Sequence, residues 1–231
     1  MSSNLRIDTE RLISRIEKLG QIGSIEGGGV CRLALTDEDR KGRDLVVEWM
    51  KQLNLDITID QIGNTIALRN GEEDVKPIMT GSHIDTVATG GIYDGNLGVL
   101  AGLEVIETLN DAGVVTRKPV GVGFFTNEEG SRFAPDMMGS GVHQGSLDLN
   151  SMLKVKDMDG MSVGEELEKI GYAGKTPTNI FRADSFIELH IEQGPILDLE
   201  NYEIGAVEVF REFLGMNTKF LERQIMLEQL Q

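Results

Sequence analysis

The stretch Gly81-Ser82-His83-Ile84-Asp85-Thr86-Val87-Ala88-Thr89-Gly90-Gly91-Ile92-Tyr93-Asp94-Gly95 decides the fold. It follows the apolar run Pro77-Ile78-Met79 and precedes a long segment of helical periodicity, so it reads as strand, glycine-rich loop, helix. One imidazole and two carboxylates stand among glycines, whose permissive backbone lets a loop approach an ion or a substrate closely. His83 and Asp85 lie two apart and so project to one side of a strand. One of them can then ligate a metal while the other holds the second ring nitrogen.

Downstream, Leu97, Val99, Leu100, Leu103, Val105, Ile106 and Leu109 recur at helical spacing and predict a buried helix ending near Gly113. Pro119 to Thr126 is a short, mostly apolar run, as expected of a central strand, and it ends on Asn127-Glu128-Glu129-Gly130. Residues 131–160 read as irregular. Ser162 and Glu165 form a capping box for a helix to about Ile170. Phe186-Ile187-Glu188-Leu189-His190 is a further strand that runs into Ile191-Glu192-Gln193-Gly194.

Upstream, Leu5, Leu12, Ile13, Ile16 and Leu19 predict an amphipathic helix over 4–20, followed by a glycine-rich loop over 21–35. Thr36 caps a second helix to about Leu53, with Asp37, Glu38 and Asp39 suited to its positive end. Leu55–Asp60 alternates as a half-wet strand, Gly63-Asn64 turns, and Thr65–Arg69 returns. A strand over Lys76–Thr80 then delivers the opening stretch. Strands alternating with helices predict an α/β sandwich.

The formal net charge of −16, from 38 acidic and 22 basic residues, argues against a nucleic-acid or anionic-membrane partner. A single cysteine, Cys31, excludes an internal disulfide and fits a reducing compartment. The N-terminus lacks the apolar core of a signal peptide, and no apolar run approaches the ~20 residues of a membrane span. A cytoplasmic location is the expectation.

The polar groups that carry chemistry all fall just after predicted strands: His83 and Asp85, Asp94, Glu128 and Glu129, and His190. Carboxyl ends of strands are where open α/β sheets assemble their sites. Two histidines with several carboxylates suit Zn²⁺ or another divalent transition metal. In the Glu128-Glu129 pair, one carboxylate can bind the metal while the other accepts a proton from water. His143 lacks a nearby carboxylate in the sequence and reads as structural or exposed. Glu192 reads as a solvated or hydrogen-bonding residue, and Tyr93 as packing.

Taken together, Gly81-Ser82-His83-x-Asp85-Thr86, Tyr93-Asp94-Gly95, Thr126-Asn127-Glu128-Glu129-Gly130-Ser131-Arg132-Phe133 and Leu189-His190-Ile191-Glu192-Gln193-Gly194 resemble the hydantoinase/carbamoylase family of amidases. The resemblance runs in order over residues 5 to 208. It implies a zinc-exopeptidase-like three-layer α/β sandwich with a mixed, largely parallel sheet. It also implies two divalent metal ions, Zn or else Mn, Co or Ni, activating water. On that resemblance His83 and His190 would be terminal ligands of one metal, Asp94 would bridge both, and Glu129 would bind the second. Glu128 would be the general base, Asp85 the partner of His83, and Gln193 a substrate contact. The implied substrate is a linear N-carbamoyl amino acid or related ureide. Allantoate, or the peptides and acyl amino acids of related zinc enzymes, are the alternatives.

Family members insert a lid and dimerisation domain after the Gln-Gly-Pro segment, then return with a last histidine ligand. Here the text turns unfamiliar after Glu208. Residues 209–231 would make an amphipathic helix, but a sharper reading is a shifted frame. One extra G before codon 209 lets the tail be read as the start of the family's lid, with its Asn-His-Ala-Gly motif. The expectation is a hydrolase by descent that lacks the lid, its homodimer contacts and the last ligand. Such a chain would retain metal weakly and turn over little, or be the non-functional remnant of a broken gene.

Overall fold

The computed structural model describes residues 4–180 and 182–207. The chain divides into two compact units, Met1–Ile191 and Glu192–Gln231. The reading of 209–231 as a shifted frame falls outside the described residues.

The first unit opens with α1 (Thr9–Gly20) and α2 (Asp37–Gln52). The first helix begins later than its apolar spacing suggests, because Asp8 takes the cap and accepts from the Arg11 amide at 3.0 Å. Thr36 caps α2 as expected, its hydroxyl accepting from the Asp39 amide. The strands β1 (Asp56–Ile59) and β2 (Thr65–Arg69) form the hairpin predicted around Gly63-Asn64. There follow β3 (Ile78–His83), α3 (Asn96–Asp111) and β4 (Val120–Phe125). Three short helices come next, α4 (Met138–Gln144), α5 (Leu149–Met152) and α6 (Val163–Ile170), then β5 (Ser185–Ile187). The Ser162–Glu165 capping box is complete in both directions. In the second unit, α7 (Ile196–Glu200) has its Ile196 and Leu197 amides capped by Glu192, the hydrogen-bonding role expected of that carboxylate.

The fold is α/β, with a five-stranded mixed sheet in the order β1-β2-β4-β3-β5. The pairings β1–β2 and β2–β4 are antiparallel, while β4–β3 and β3–β5 are parallel. The helix α3 packs on β3 and β4, α1 on α3, and α2 on β1. Between them lies one apolar core that includes Ile16, Leu19, Val46, Met50, Leu100, Leu103, Val122 and Phe124. The parallel neighbours of β3 both follow it in the chain, yet β4 pairs on one side of it and β5 on the other. A crevice opens at such a switch point, outside the carboxyl ends of the strands.

Beyond the late start of α1, and the end of β5 at Ile187 where a strand was expected through His190, two further differences stand out. The third strand does not stop at Thr80; it runs through His83, because Gly81, Ser82 and His83 keep register with Gly123, Phe124 and Phe125 of β4. Gly81 holds this stretch at φ +146, where a Cβ would stand 2.0 Å from the Gly123 carbonyl oxygen. Gly81→Ala is therefore expected to cost about 3 kcal/mol or more, a backbone clash added to an unfavourable dihedral. Urea unfolding of the variant against the parent measures it. The second difference is at 131–160, read as irregular, which contains α4 and α5. The tight approach of α4 is set by its glycines: a Cβ at Gly139 would meet Asn64 Oδ1 at 2.2 Å.

The hairpin turn that receives α4 is organised by buried Asp60, whose carboxylate accepts from the amides of Ile62 and Asn64 and from Asn64 Nδ2. Burial pushes the Asp60 carboxyl up from 3.8 to about 6, against the pull of those hydrogen bonds. The folded protein thus holds this proton more tightly than the unfolded chain does. Its contribution is most favourable below pH 3.8 and is lost as pH rises through 6. The stability of the parent relative to Asp60→Asn should fall by about 3 kcal/mol between pH 4 and 7. Parallel denaturant titrations across that range give the difference.

Candidate metal centre

The site is built at the switch point. His83 ends β3, Asp94 leads into α3, Glu128 and Glu129 follow β4, and Glu188 and His190 follow β5. His83 Nε2 lies 3.8 Å from Asp94 Oδ1, and His190 Nε2 lies 3.2 Å from the same oxygen. Ligand atoms of His83, Asp94 and His190 all fall within 4.8 Å of one another. The imidazole rings are 6.3 Å apart. Glu128 Oε2 reaches to 3.4 Å from His83 Nε2.

The neighbouring backbone fixes these groups. Gly95 sits at φ +64 directly against the His83 ring, and a Cβ there would come within 2.5 Å of it. His83 Nδ1 meets the Asp85 carbonyl oxygen at 2.9 Å, while the Asp85 carboxylate lies 4.0 Å from that nitrogen. That carboxylate instead accepts from the amides of Glu128 and Glu129, at 3.2 and 3.3 Å. Asp85 therefore spans two strands: its carbonyl orients the imidazole and its carboxylate holds the Glu128-Glu129 turn. Asn127, at φ +52, braces the same turn by donating to the carbonyls of Phe133 and Pro135. Gln193 belongs to the second unit.

Electrostatics mark the cluster as a place for a cation. Burial works against protonation of His83, but the carboxylates of Asp85, Glu128 and Glu129 outweigh it and hold its pKa above the ordinary value. The hydrogen bond to Asp94 lifts His190 to about 9. Burial, and then neighbouring carboxylates, raise Glu128, and they take Glu129 to about 7. Crowded carboxylates resist ionising together, and a positive ion among them removes that cost. Two imidazole nitrogens and carboxylate oxygens converging from separate loops are the donor set of Zn²⁺ and its neighbours. The residues present fit a divalent metal.

The Peptidase family M20/M25/M40 profile matches residues 79–226, which include every group named above. The chain belongs to this family. Within it, the chain is 42% identical over 205 residues to an N-carbamoyl-L-amino-acid amidohydrolase of Rhizobium meliloti, covering 88% of this chain and 49% of that protein. It is 39% identical over 209 residues to one of Geobacillus stearothermophilus, covering 87% and 50%. A crystal structure of a hydantoinase/carbamoylase family amidase from Burkholderia multivorans superposes with a TM-score of 0.85 at 49% identity, over 86% of this chain and 49% of that one. This M20-family chain thus spans about half the length of the curated relatives it matches. No helix among the described residues is long and apolar enough to cross a membrane.

Some parts of the site gave little sign of themselves in the sequence of this M20-family chain. Ser82 hydrogen-bonds Glu188 across β3 and β5, a contact that pairs two residues 106 apart. His143 lines a cavity beside Glu128 rather than lying alone on the surface. A second, larger cleft between Asn4–Arg11 and the end of α3 lies at the opposite end of that helix from Asp94 and His83.

Proposed function

We propose that this chain belongs to a metal-dependent hydrolase of linear amide and ureide C–N bonds, acting first on N-carbamoyl-L-amino acids. The observation that carries the reading is the convergence of His83, Asp94 and His190 within 4.8 Å, with Glu128 3.4 Å from the His83 nitrogen. It stands in a chain 42% identical to an N-carbamoyl-L-amino-acid amidohydrolase.

In the proposed mechanism, His83, Asp94 and His190 would hold one divalent ion, and Asp94 with Glu129 would hold a second. Zn fits this set, as do Mn, Co and Ni. Bound there, the ions supply Lewis-acid polarisation of the carbonyl and a lowered pKa for the attacking water. Glu128, raised above the ordinary carboxylate range, takes the proton from that water and returns it to the leaving nitrogen. Asp85 sets where Glu128 stands by holding its amide. Gln193 would contact the substrate. An N-carbamoyl amino acid and water then yield the amino acid, ammonia and carbon dioxide.

The test compares the 231-residue chain with a version carried on to the length of its relatives, on N-carbamoyl-L-amino acids, allantoate and dipeptides. Chelator-sensitive release of amino acid by the long version, lost in Glu128→Gln, is the expected result. Little or no turnover is expected of the 231 residues by themselves. Turnover that survives both chelation and Glu128→Gln, or confined to dipeptides, would overturn the reading.

A further inference from the structure

Arg32 stands in the loop between α1 and α2 and is wholly buried, at 0% exposure. Its guanidinium donates to four neutral oxygens: the Leu19 and Ile22 carbonyls at 3.0 and 2.8 Å, the Ile84 carbonyl at 2.7 Å and the Asn96 side-chain oxygen at 2.9 Å. Charges buried so deeply usually meet an opposite charge, because leaving water is costly for them. Burial lowers the Arg32 pKa accordingly, and the charges of Asp39 and Asp85 oppose it. Gly42 of α2 makes room for the side chain: a Cβ there would stand 2.8 Å from Arg32 Cδ. The main chain is tied to the same region. The Arg32 amide donates to Thr86 Oγ1 at 2.8 Å, and the Thr86 amide donates to the Arg32 carbonyl at 2.9 Å.

Two of these partners are the two ends of the segment that carries the site. Ile84 stands between His83 and Asp85. Asn96 opens α3 and closes the turn around Asp94: its amide donates to the Asp94 carbonyl at 2.7 Å, and its Nδ2 to the Ile92 carbonyl at 3.1 Å. One planar, rigid fork therefore joins residue 84 to residue 96 at a fixed spacing. We propose that Arg32 is a positioning residue of the metal centre, whose guanidinium sets how far His83 stands from Asp94 by tying Ile84 to Asn96. The 3.8 Å between His83 Nε2 and Asp94 Oδ1 is the quantity it holds. A lysine keeps the charge but presents no fork, so the geometry is separable from the electrostatics. The assignment rests on the reading of His83 and Asp94 as metal ligands for its consequence. The clamp itself is tested without metal.

Hydrogen–deuterium exchange of the metal-free 231-residue chain gives the first readout. In Arg32→Lys and in Asn96→Ala, amides of residues 84–96 should exchange at least tenfold faster, while the hairpin over 56–69 keeps the parent's rates. Competition against a chromophoric chelator gives the second: each variant should lose about tenfold or more in Zn²⁺ affinity, as groups behind a ligand do. The double variant Arg32→Lys/Asn96→Ala should lose no more than the worse single one, because both substitutions break the same bond. Ile170→Ala removes core packing at the end of α6, away from the clamp, and should leave the Zn²⁺ affinity as in the parent. Parent-like exchange over 84–96 in Arg32→Lys, equal acceleration of the hairpin, unchanged Zn²⁺ affinity in Arg32→Lys, additive losses in the double variant, or the same loss in Ile170→Ala would each overturn the assignment. If exchange responds as expected while the parent binds no divalent ion, the metal reading fails and the clamp between residues 84 and 96 stands.

Discussion

Replacing His83 with alanine is expected to lower the affinity of the chain for Zn²⁺ by more than about 100-fold. Losing the hydrogen-bond partner behind a metal ligand already costs ~10–100-fold, and a ligand itself is worth more. His83 is almost wholly buried, 3% exposed, and two of the three clustered ligand groups meet across its Nε2. No other histidine is placed to replace it. His143 faces Phe125 instead, and His190 is already one of the three. Asp85→Asn should cost less, because the orienting contact to the His83 ring comes from the Asp85 main chain. Its expected loss lies in the looser hold on Glu128 and Glu129. Competition against a chromophoric chelator gives both affinities, and a thermal melt of each variant shows that the fold is kept. An alanine variant that binds Zn²⁺ as the parent does would remove His83 from the centre.

The largest effect on stability is expected at Arg43. Its guanidinium is 1% exposed and bonds Asp39 at 2.8 Å, the Gly63 carbonyl at 2.8 Å and Thr126 Oγ1 at 3.2 Å. It also stacks between Phe124 and Tyr172, at 5.5 and 5.2 Å from their ring centroids. Arg43→Met would leave the Asp39 carboxylate, 0% exposed, without its counter-charge. Breaking one side of a buried pair costs about 3–5 kcal/mol, most of it the stranded charge. Asp39 also accepts from the Leu35 amide at 2.7 Å, so its removal frees a buried donor as well. The double variant Asp39→Leu/Arg43→Met should recover part of the loss, since no lone charge remains. Equal unfolding free energies for Arg43→Met and the parent would show that the pair carries no stability. Thr126 directly precedes the Asn127-Glu128-Glu129 turn, so the same variant should also loosen the proposed base.

Elements with their own local signals were legible in the sequence. Thr36 and the Ser162–Glu165 box announce helices by side chains that bond their own first turn. The alternation of Leu55–Asp60 and the return at Thr65–Arg69 gave the hairpin. The cluster was legible for a similar reason: each polar group follows a strand, and parallel strands deliver their ends to one rim. What stayed hidden depends on partners distant in the chain. The helix α4 contains Gly139 and Gly141 and has no local reason to be helical. Docking against Asn64 and Thr126 fixes it, with the Gly139 amide bonded to the Thr126 carbonyl. The passage of β3 through His83 is likewise a matter of register with β4, and the contact of Asp85 with the His83 ring comes from its main chain rather than its side chain. No sequence pattern carries either. The cavity around His143 joins β4, α4 and β5, so a reading of residues 131–160 alone could not place that ring.

The most direct measurement is X-ray absorption at the zinc edge of the metal-loaded chain, paired with an anomalous difference map from its crystals. The ion should lie among His83, Asp94 and His190, about 2.0–2.1 Å from each imidazole nitrogen and about 2.0–2.2 Å from the carboxylate oxygen. A zinc shell without imidazole nitrogen, or an anomalous peak away from these three side chains, would contradict the centre on which the proposed chemistry depends.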